Sequence, residues 1–201
     1  MDAQDWDSRY AAVEQVWSLG PNRFVAAELA ELQPGRAVDL ACGEGRNAIW
    51  LAERGWQVTA LDFSQVAVDR GRRTAGELPV EWRVDDALTA ALPPADLVLL
   101  AYLQLPEAER RAAVRRGFAA LEPGGTFLLV AHDSTNLAEG TGGPQDASVL
   151  YTAEDVLADL EGEPFDVVRA ERVARVVAQD DEHGGTSRAT AWDALVRLVR
   201  R

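Results

Sequence analysis

The chain has 201 residues, 47% of them apolar and 26% charged, which suits one globular domain with a sizeable core. Its formal charge of −13, from 20 basic and 33 acidic side chains, argues against broad nucleic-acid binding and against docking on an anionic membrane, since both need a basic patch. One cysteine, Cys42, excludes an internal disulfide and a cysteine-based metal site.

No charged leader followed by an apolar segment opens the sequence, and no apolar run approaches the ~18 residues of a membrane span, so a cytoplasmic soluble protein is expected. Trp6, Tyr10, Val13 and Trp17 recur at helical spacing, as an aromatic stripe that either packs on the core or closes over a ligand. Gly20-Pro21-Asn22 breaks that helix, and Arg23 to Leu32 predicts a second. Ala37 to Ala41 reads as a short strand covered on both faces, interrupted by one anomaly, Asp39. An unpaired charge there would be costly, so Asp39 needs a partner or a ligand. Cys42-Gly43-Glu44-Gly45 then turns the chain, and Asn47 to Glu53 continues as a helix; strand, glycine turn and helix N-terminus form a geometry that cradles small-molecule cofactors.

Trp56 to Leu61 alternates as a second strand and delivers Asp62, and Ser64 caps a helix from Gln65 to about Ala75. Pro79 to Val84 is a third strand ending in Asp85-Asp86, and Ala95 to Ala101 a fourth. Pro106 to Leu121 is an arginine-rich helix, followed by Pro123-Gly124-Gly125 and a fifth strand from Thr126 to Ala131. Such alternation predicts a parallel α/β sheet with right-handed crossovers. Asp133 to Ser148 lacks periodicity and reads as a lid-like loop. Thr152 caps a helix to about Leu160, and Phe165 to Val177 and Thr190 to Val199 form an antiparallel pair joined around Gly184-Gly185. One domain is expected throughout 1–201: a helical cap (1–33), a cofactor-binding core (36–131), the loop (133–149) and a C-terminal helix with two strands (152–201).

Gly43-x-Gly45-x-x-Ala48, with Asp62 beyond it, passes a dinucleotide fingerprint, but electrostatics discriminates better. Asp39, Glu44, Asp62, Asp85 and Asp86 fall at or near the carboxyl ends of the first three strands, where such sheets bind ligands. They would repel a pyrophosphate and attract a ligand bearing an ammonium and a sulfonium. A pair of unit charges ~4 Å apart at an effective dielectric of ~20 is worth about 4 kcal/mol before desolvation, enough to decide between the two.

Val38-Asp39-Leu40-Ala41-Cys42-Gly43-Glu44-Gly45, with Asp62 and Asp85-Asp86 downstream, resembles the class I S-adenosylmethionine-dependent methyltransferases. Gly45-Arg-Asn-Ala48, Gly55 to Ser64 and Gly143-Pro-Gln145 are similar to the small-molecule tellurite-resistance and thiopurine methyltransferase-like groups. The resemblance implies a Rossmann-like, doubly wound, mostly parallel seven-stranded sheet with an antiparallel C-terminal strand pair. It implies S-adenosyl-L-methionine as cofactor, S-adenosyl-L-homocysteine as product and a small-molecule substrate; the charge and the lack of a metal-ligand triad add the expectation of no nucleic-acid, membrane or metal partner, and a monomer or homodimer is expected. Gly43 and Gly45 would admit the methionine part, Asp39 its ammonium, Asp62 the ribose hydroxyls and Phe63 the adenine face. Asp85 or Asp86 with the Ala87 amide would read the adenine edge, with Asn47, Ser64, Ala101, Trp6 and Tyr10 completing the cofactor set. Ala101 and Tyr102 would flank the reacting methyl. Nucleic-acid base and protein amide methyltransferases carry an Asn or Asp, two prolines and an aromatic there, and Ala101-Tyr102-Leu103-Gln104 departs from that.

Simpler readings stand beside these. Asp39 could bond only nearby backbone, Asp86 could be a helix cap, Cys42 a small turn residue and His183 a solvated hairpin residue. His132 ends the fifth strand beside the crevice and is either catalytic or a satisfied structural histidine. Methyl transfer from a sulfonium chiefly requires alignment and water exclusion. A thiolate, selenide or telluride needs no base, whereas an amine or hydroxyl would call on His132 or Tyr151. Asp133 and Asn136 lie together without a third metal ligand. The rivals are a nicotinamide-dependent oxidoreductase, which would want a Tyr-x-x-x-Lys pair that a chain without lysine cannot supply, and a cofactor-binding protein without turnover.

Overall fold

The structure, a computed structural model, describes residues 3–12, 20–180 and 186–201. Val13 and Trp17 of the aromatic stripe, and His183 with Gly184 and Gly185, lie outside the described residues. In chain order the elements are α1 (Ala3–Ala11), α2 (Arg23–Leu29), β1 (Arg36–Leu40), α3 (Arg46–Glu53), β2 (Gln57–Asp62), α4 (Gln65–Ala75), β3 (Val80–Val84), β4 (Ala95–Ala101), α5 (Glu107–Ala119), β5 (Leu121–His132), α6 (Asn136–Glu139), α7 (Ala153–Asp159), β6 (Phe165–Asp180) and β7 (Thr186–Arg200). Local chemistry explains the boundaries. Asn22 caps α2 by accepting the Phe24 and Val25 amides, Ser64 caps α4, and Thr152 with Asp155 forms a capping box on α7.

The seven strands form one sheet in the order β3-β2-β1-β4-β5-β7-β6, with β1 to β5 parallel and β7 antiparallel to both its neighbours. The sequence-based expectation of five parallel strands closing on an antiparallel pair therefore holds. The last strand is inserted between β5 and β6. The two final strands are longer than expected, and β5 begins at Leu121, with an irregular pairing opposite Ala95.

The pleat sorts side chains onto two faces, each with its own apolar cluster. Val38, Leu40, Val98, Leu100, Phe127 and Leu129 face Val114 and Phe118 of α5 and Val156 of α7. Ala37, Val58, Ala60, Leu97, Leu99, Leu128, Val130 and Leu195 face α2 and α3 through Val25, Leu29, Ala48 and Leu51. Behind the first cluster, Asp159, fully buried, takes a bidentate bond from Arg110 at 2.7 and 3.2 Å and a further one from Arg111 at 3.1 Å, fastening α7 to α5. Among the described residues no helix is long and apolar enough to cross a membrane.

Candidate active site

Strand order reverses between β1 and β4, and the chain crosses that point in strain. Ala41 after β1 and Tyr102 after β4 both take positive φ, 60° and 61°, which costs a non-glycine residue about 1 kcal/mol or more. Gly43 and Gly45 follow at 56° and 78°. A Cβ on Gly45 would also come within 2.1 Å of the Trp82 ring, and one on Gly71 of α4 within 2.4 Å. The bare turn therefore serves tertiary packing: Trp82 of β3 wedges between it and α4.

Side-chain parity places Asp39, Asp62, His132, Arg175 and Asp193 on the face that carries Ala37, Ala60, Val130, Val173 and Leu195. Asp39 is 1% exposed, and neither of its carboxylate oxygens has a hydrogen-bond partner among the described residues. Burial pushes its carboxyl up to about 7, opposed by the Ala48 amide and by Arg46. A buried carboxylate open on both oxygens beside a helix N-terminus is a ready receptor for a cationic group.

Asp62 is buried and already employed. Its Oδ2 accepts the Gly43 amide and its Oδ1 the Ser64 amide, both at 2.9 Å, so it fixes the turn, and burial raises its pKa against those two bonds. Each oxygen keeps a lone pair for a hydroxyl donor. Phe63 beyond it is half-buried. The Ser64 hydroxyl donates to Asp7 of α1, which also receives the Val66 amide, so its side chain is committed to docking α1. Tyr10 on that helix is buried, 5.6 Å from the half-buried Trp6 ring. Asp85 accepts the Asp86 amide, and Asp86 accepts the Leu88 amide at 2.8 Å, which closes a turn over residues 87–89 rather than capping a helix, since none starts there; Ala87 is buried in that turn. Asn47 uses its side-chain oxygen to hold the Asn22 amide at 2.9 Å. Ala101 is half-buried at the end of β4.

Beyond the turn, the structure assembles a cluster that sequence reasoning found only in part. The Tyr102 hydroxyl donates to Asp193 at 2.9 Å, Arg175 grips the same carboxylate at 2.7 and 3.4 Å, and His132 Nδ1 lies 3.3 Å from Asp193 Oδ1. The Tyr102 and His132 rings are 4.8 Å apart, and Gly143 also lies against the imidazole, where a Cβ would come within 3.0 Å of it. Burial and the neighbouring Asp193 push the Tyr102 phenol up to about 12. Asp193 is held below the usual carboxylate range: His132 and Arg175 outweigh its desolvation. Arg46 of α3 stands among Tyr102, Asp39, Arg175 and Tyr10; burial pulls its pKa down, and Tyr102 and Asp39 push it back. Gln104 ties the cluster to its cover, accepting the His132 amide at 2.9 Å and donating to the Val149 carbonyl at 2.7 Å.

Tyr151 requires correction. It is buried in the α5/α7 cluster and donates its hydroxyl to the Leu103 carbonyl at 2.9 Å, while burial raises its pKa. A phenol whose proton is committed and hard to remove is a core residue rather than a base. The Asp133–Ser148 segment is ordered rather than loose. Asp133 accepts from Thr135, and the Asn136 amide accepts from Trp192 N and donates to Gly142, pinning the segment to β7. A hollow of ≈490 Å³ at the opposite edge of the sheet, lined by Arg36, Gln57 and Pro79, holds no unpartnered buried side-chain atom among the described residues.

Asp193 did leave a signal in the sequence, a charge inside the apolar run Trp192 to Val196, as Asp39 did in its own run. Arg175, Arg46, Asn22 and Gln104 left none, because their partners are distant in the chain.

Residues 37–125 match a family model described as a methyltransferase domain. The chain is 38% identical over 101 residues to the carboxy-S-adenosyl-L-methionine synthase of Chromohalobacter salexigens, covering 45% of this chain and 37% of that protein. It is 32% identical over 118 residues to the ribosomal RNA small subunit methyltransferase C of Alcanivorax borkumensis, covering 50% and 33%. The chain thus spans about a third of the length of these two relatives. The N-methyltransferase NodS from Bradyrhizobium japonicum, solved with S-adenosyl-L-homocysteine, shares the fold with a TM-score of 0.74 at 19% identity, over 99% of each chain.

Proposed function

We propose that this chain, whose residues 37–125 match a methyltransferase domain, is a class I S-adenosylmethionine-dependent methyltransferase that binds S-adenosyl-L-methionine and transfers its methyl group in line to a small molecule. The observation that carries the reading is Asp39, a buried carboxylate with both oxygens unpartnered above a glycine turn. Its chemistry fits the ammonium of the cofactor's methionine part. Asp62 retains lone pairs for ribose hydroxyls, Phe63 offers a half-buried ring for the adenine, and Asp85 or Asp86 with the Ala87 amide would read the adenine edge. When bound, the cofactor supplies a methyl already activated by a positively charged sulfur. The residues of this chain have the remaining tasks: holding donor and acceptor in line and keeping water out, an alignment worth ~7–11 kcal/mol. Tyr102 and His132 stand on the acceptor side, with Gly143 and the helix α1 as its cover.

The formal charge of −13 favours a small acceptor over a nucleic acid, although one relative is by name a ribosomal RNA methyltransferase. Calorimetry with S-adenosyl-L-homocysteine and with NADH tests the reading. Binding of the first and not the second is expected, and the reverse would refute it. Asp62→Ala should weaken that binding by more than tenfold, because hydroxyls would lose a charged acceptor worth ~1.5–3 kcal/mol and the turn its anchor. Unchanged affinity in a folded variant would remove Asp62 from the site.

A further inference from the structure

We propose that Asp193 is a positioning residue that orients His132 as a general base, so that the acceptor is an amine or a hydroxyl rather than a thiolate or telluride. The inference deepens the methyltransferase reading and rests on it. His132 and Asp193 are directly opposed residues of the antiparallel β5–β7 pair, on the crevice side of the sheet. Asp193 is fully buried, and a buried carboxylate ringed by donors is fixed in orientation. Arg175 holds it from β6 and the Tyr102 hydroxyl from the end of β4, while Arg46 of α3 lies beside Tyr102. His132 Nδ1 is buried, has no hydrogen-bond partner among the described residues, and has Asp193 Oδ1 3.3 Å away as the carboxylate oxygen that a small turn of the ring would engage. The ring packs against both Tyr102 and Gly143, and Nδ1 is its buried, unpartnered nitrogen, so we assign Nε2 as the nitrogen that meets the acceptor.

A carboxylate on Nδ1 selects the tautomer that carries its proton there and leaves a lone pair on Nε2. The other candidate bases are already engaged, since Tyr102 gives its proton to Asp193 and Tyr151 gives its own to Leu103. In the step that follows, the acceptor's lone pair takes the methyl carbon, the methyl–sulfur bond breaks with its electron pair left on sulfur, and the acceptor's proton passes to Nε2. The resulting imidazolium faces the ionised Asp193. A thiolate or telluride brings no proton, and this arrangement would then have no part in the reaction.

The chain has two histidines, so imidazole nitrogen NMR on the full-length protein with S-adenosyl-L-homocysteine is direct, with His183→Gln assigning the signals. At alkaline pH the neutral His132 ring should carry its proton on Nδ1. In Asp193→Asn it should revert to the Nε2–H form that imidazole side chains favour in water. An Nε2–H form in the unaltered protein overturns the proposal without any variant, and so does a tautomer unchanged in a folded Asp193→Asn. Labelled methyl transfer to a panel of amines, phenols, thiols, selenite and tellurite gives the second readout. Transfer to nitrogen or oxygen is expected, with Asp193→Asn at least ~10²-fold slower and its KM for the cofactor within twofold. Transfer to thiols or tellurite alone, at full rate in Asp193→Asn, overturns it. Failure to bind S-adenosyl-L-homocysteine sinks the methyltransferase reading itself, whereas binding with the wrong tautomer sinks only this inference.

Discussion

Replacing Asp39 by asparagine removes a buried charge that the Ala48 amide and Arg46 compensate only in part. Burial lifts this carboxyl from its ordinary 3.8 to about 7, and at about 1.36 kcal/mol per pH unit the ionised form destabilises the empty protein by about 4 kcal/mol above pH 7. Between those two values the folded chain keeps a proton that the unfolded chain has lost. Stability therefore falls as pH rises through the window and levels off above it. Asp39→Asn lacks this titration, and every other group cancels in the comparison. The variant's stability relative to the parent should grow by roughly 2–3 kcal/mol from pH 5 to pH 8, read from urea unfolding followed by tryptophan fluorescence. The same substitution should weaken S-adenosyl-L-homocysteine, whose ammonium loses its counter-charge. In the parent at pH 6, binding should release close to one proton, measurable by calorimetry in two buffers of different ionisation enthalpy. Parallel pH curves for parent and variant, with no proton released, would refute the assignment of Asp39 as the unpaired acid.

Gly71→Ala should cost ~1–3 kcal/mol, because its Cβ would stand 2.4 Å from the Trp82 ring and 3.0 Å from the Glu44 carbonyl. In a Trp82→Leu background most of that cost should vanish, and strictly additive effects in a double-mutant cycle would contradict the packing described. Tyr151→Phe should lower stability by about 1–2 kcal/mol through the orphaned Leu103 carbonyl, with methyl transfer unchanged within twofold. A hundredfold slower rate would return Tyr151 to the chemistry.

The order of strands and helices was legible because it rests on local pattern: apolar runs of strand length, Gly and Pro breaks, and caps such as Ser64 and Thr152. Tyr151 was misread because position along the chain, next to a loop and a cap, resembles a site until packing turns its ring into the α5/α7 cluster. Asp86 caps no helix: its bond to the Leu88 amide closes a short turn, which local pattern alone does not distinguish from a helix start.

By itself the sequence determined that a carboxylate would sit at the end of the first strand against a glycine turn, since a charge inside an apolar run has to be answered wherever the chain goes. It determined equally that a parallel sheet would present its carboxyl ends to a ligand. Only the tertiary structure decided what answers each charge. Asp193 carries the same anomaly as Asp39, yet its partners come from β4, β5 and β6, and the antiparallel register that sets it opposite His132 cannot be read from either strand alone. Gly45 looks like a ligand-facing glycine, and it took the fold to bring the Trp82 ring against it. Local pattern fixes which residues are anomalous, and contacts between distant segments fix whether an anomaly is satisfied, as Asp193 is, or left without a side-chain partner among the described residues, as Asp39 is.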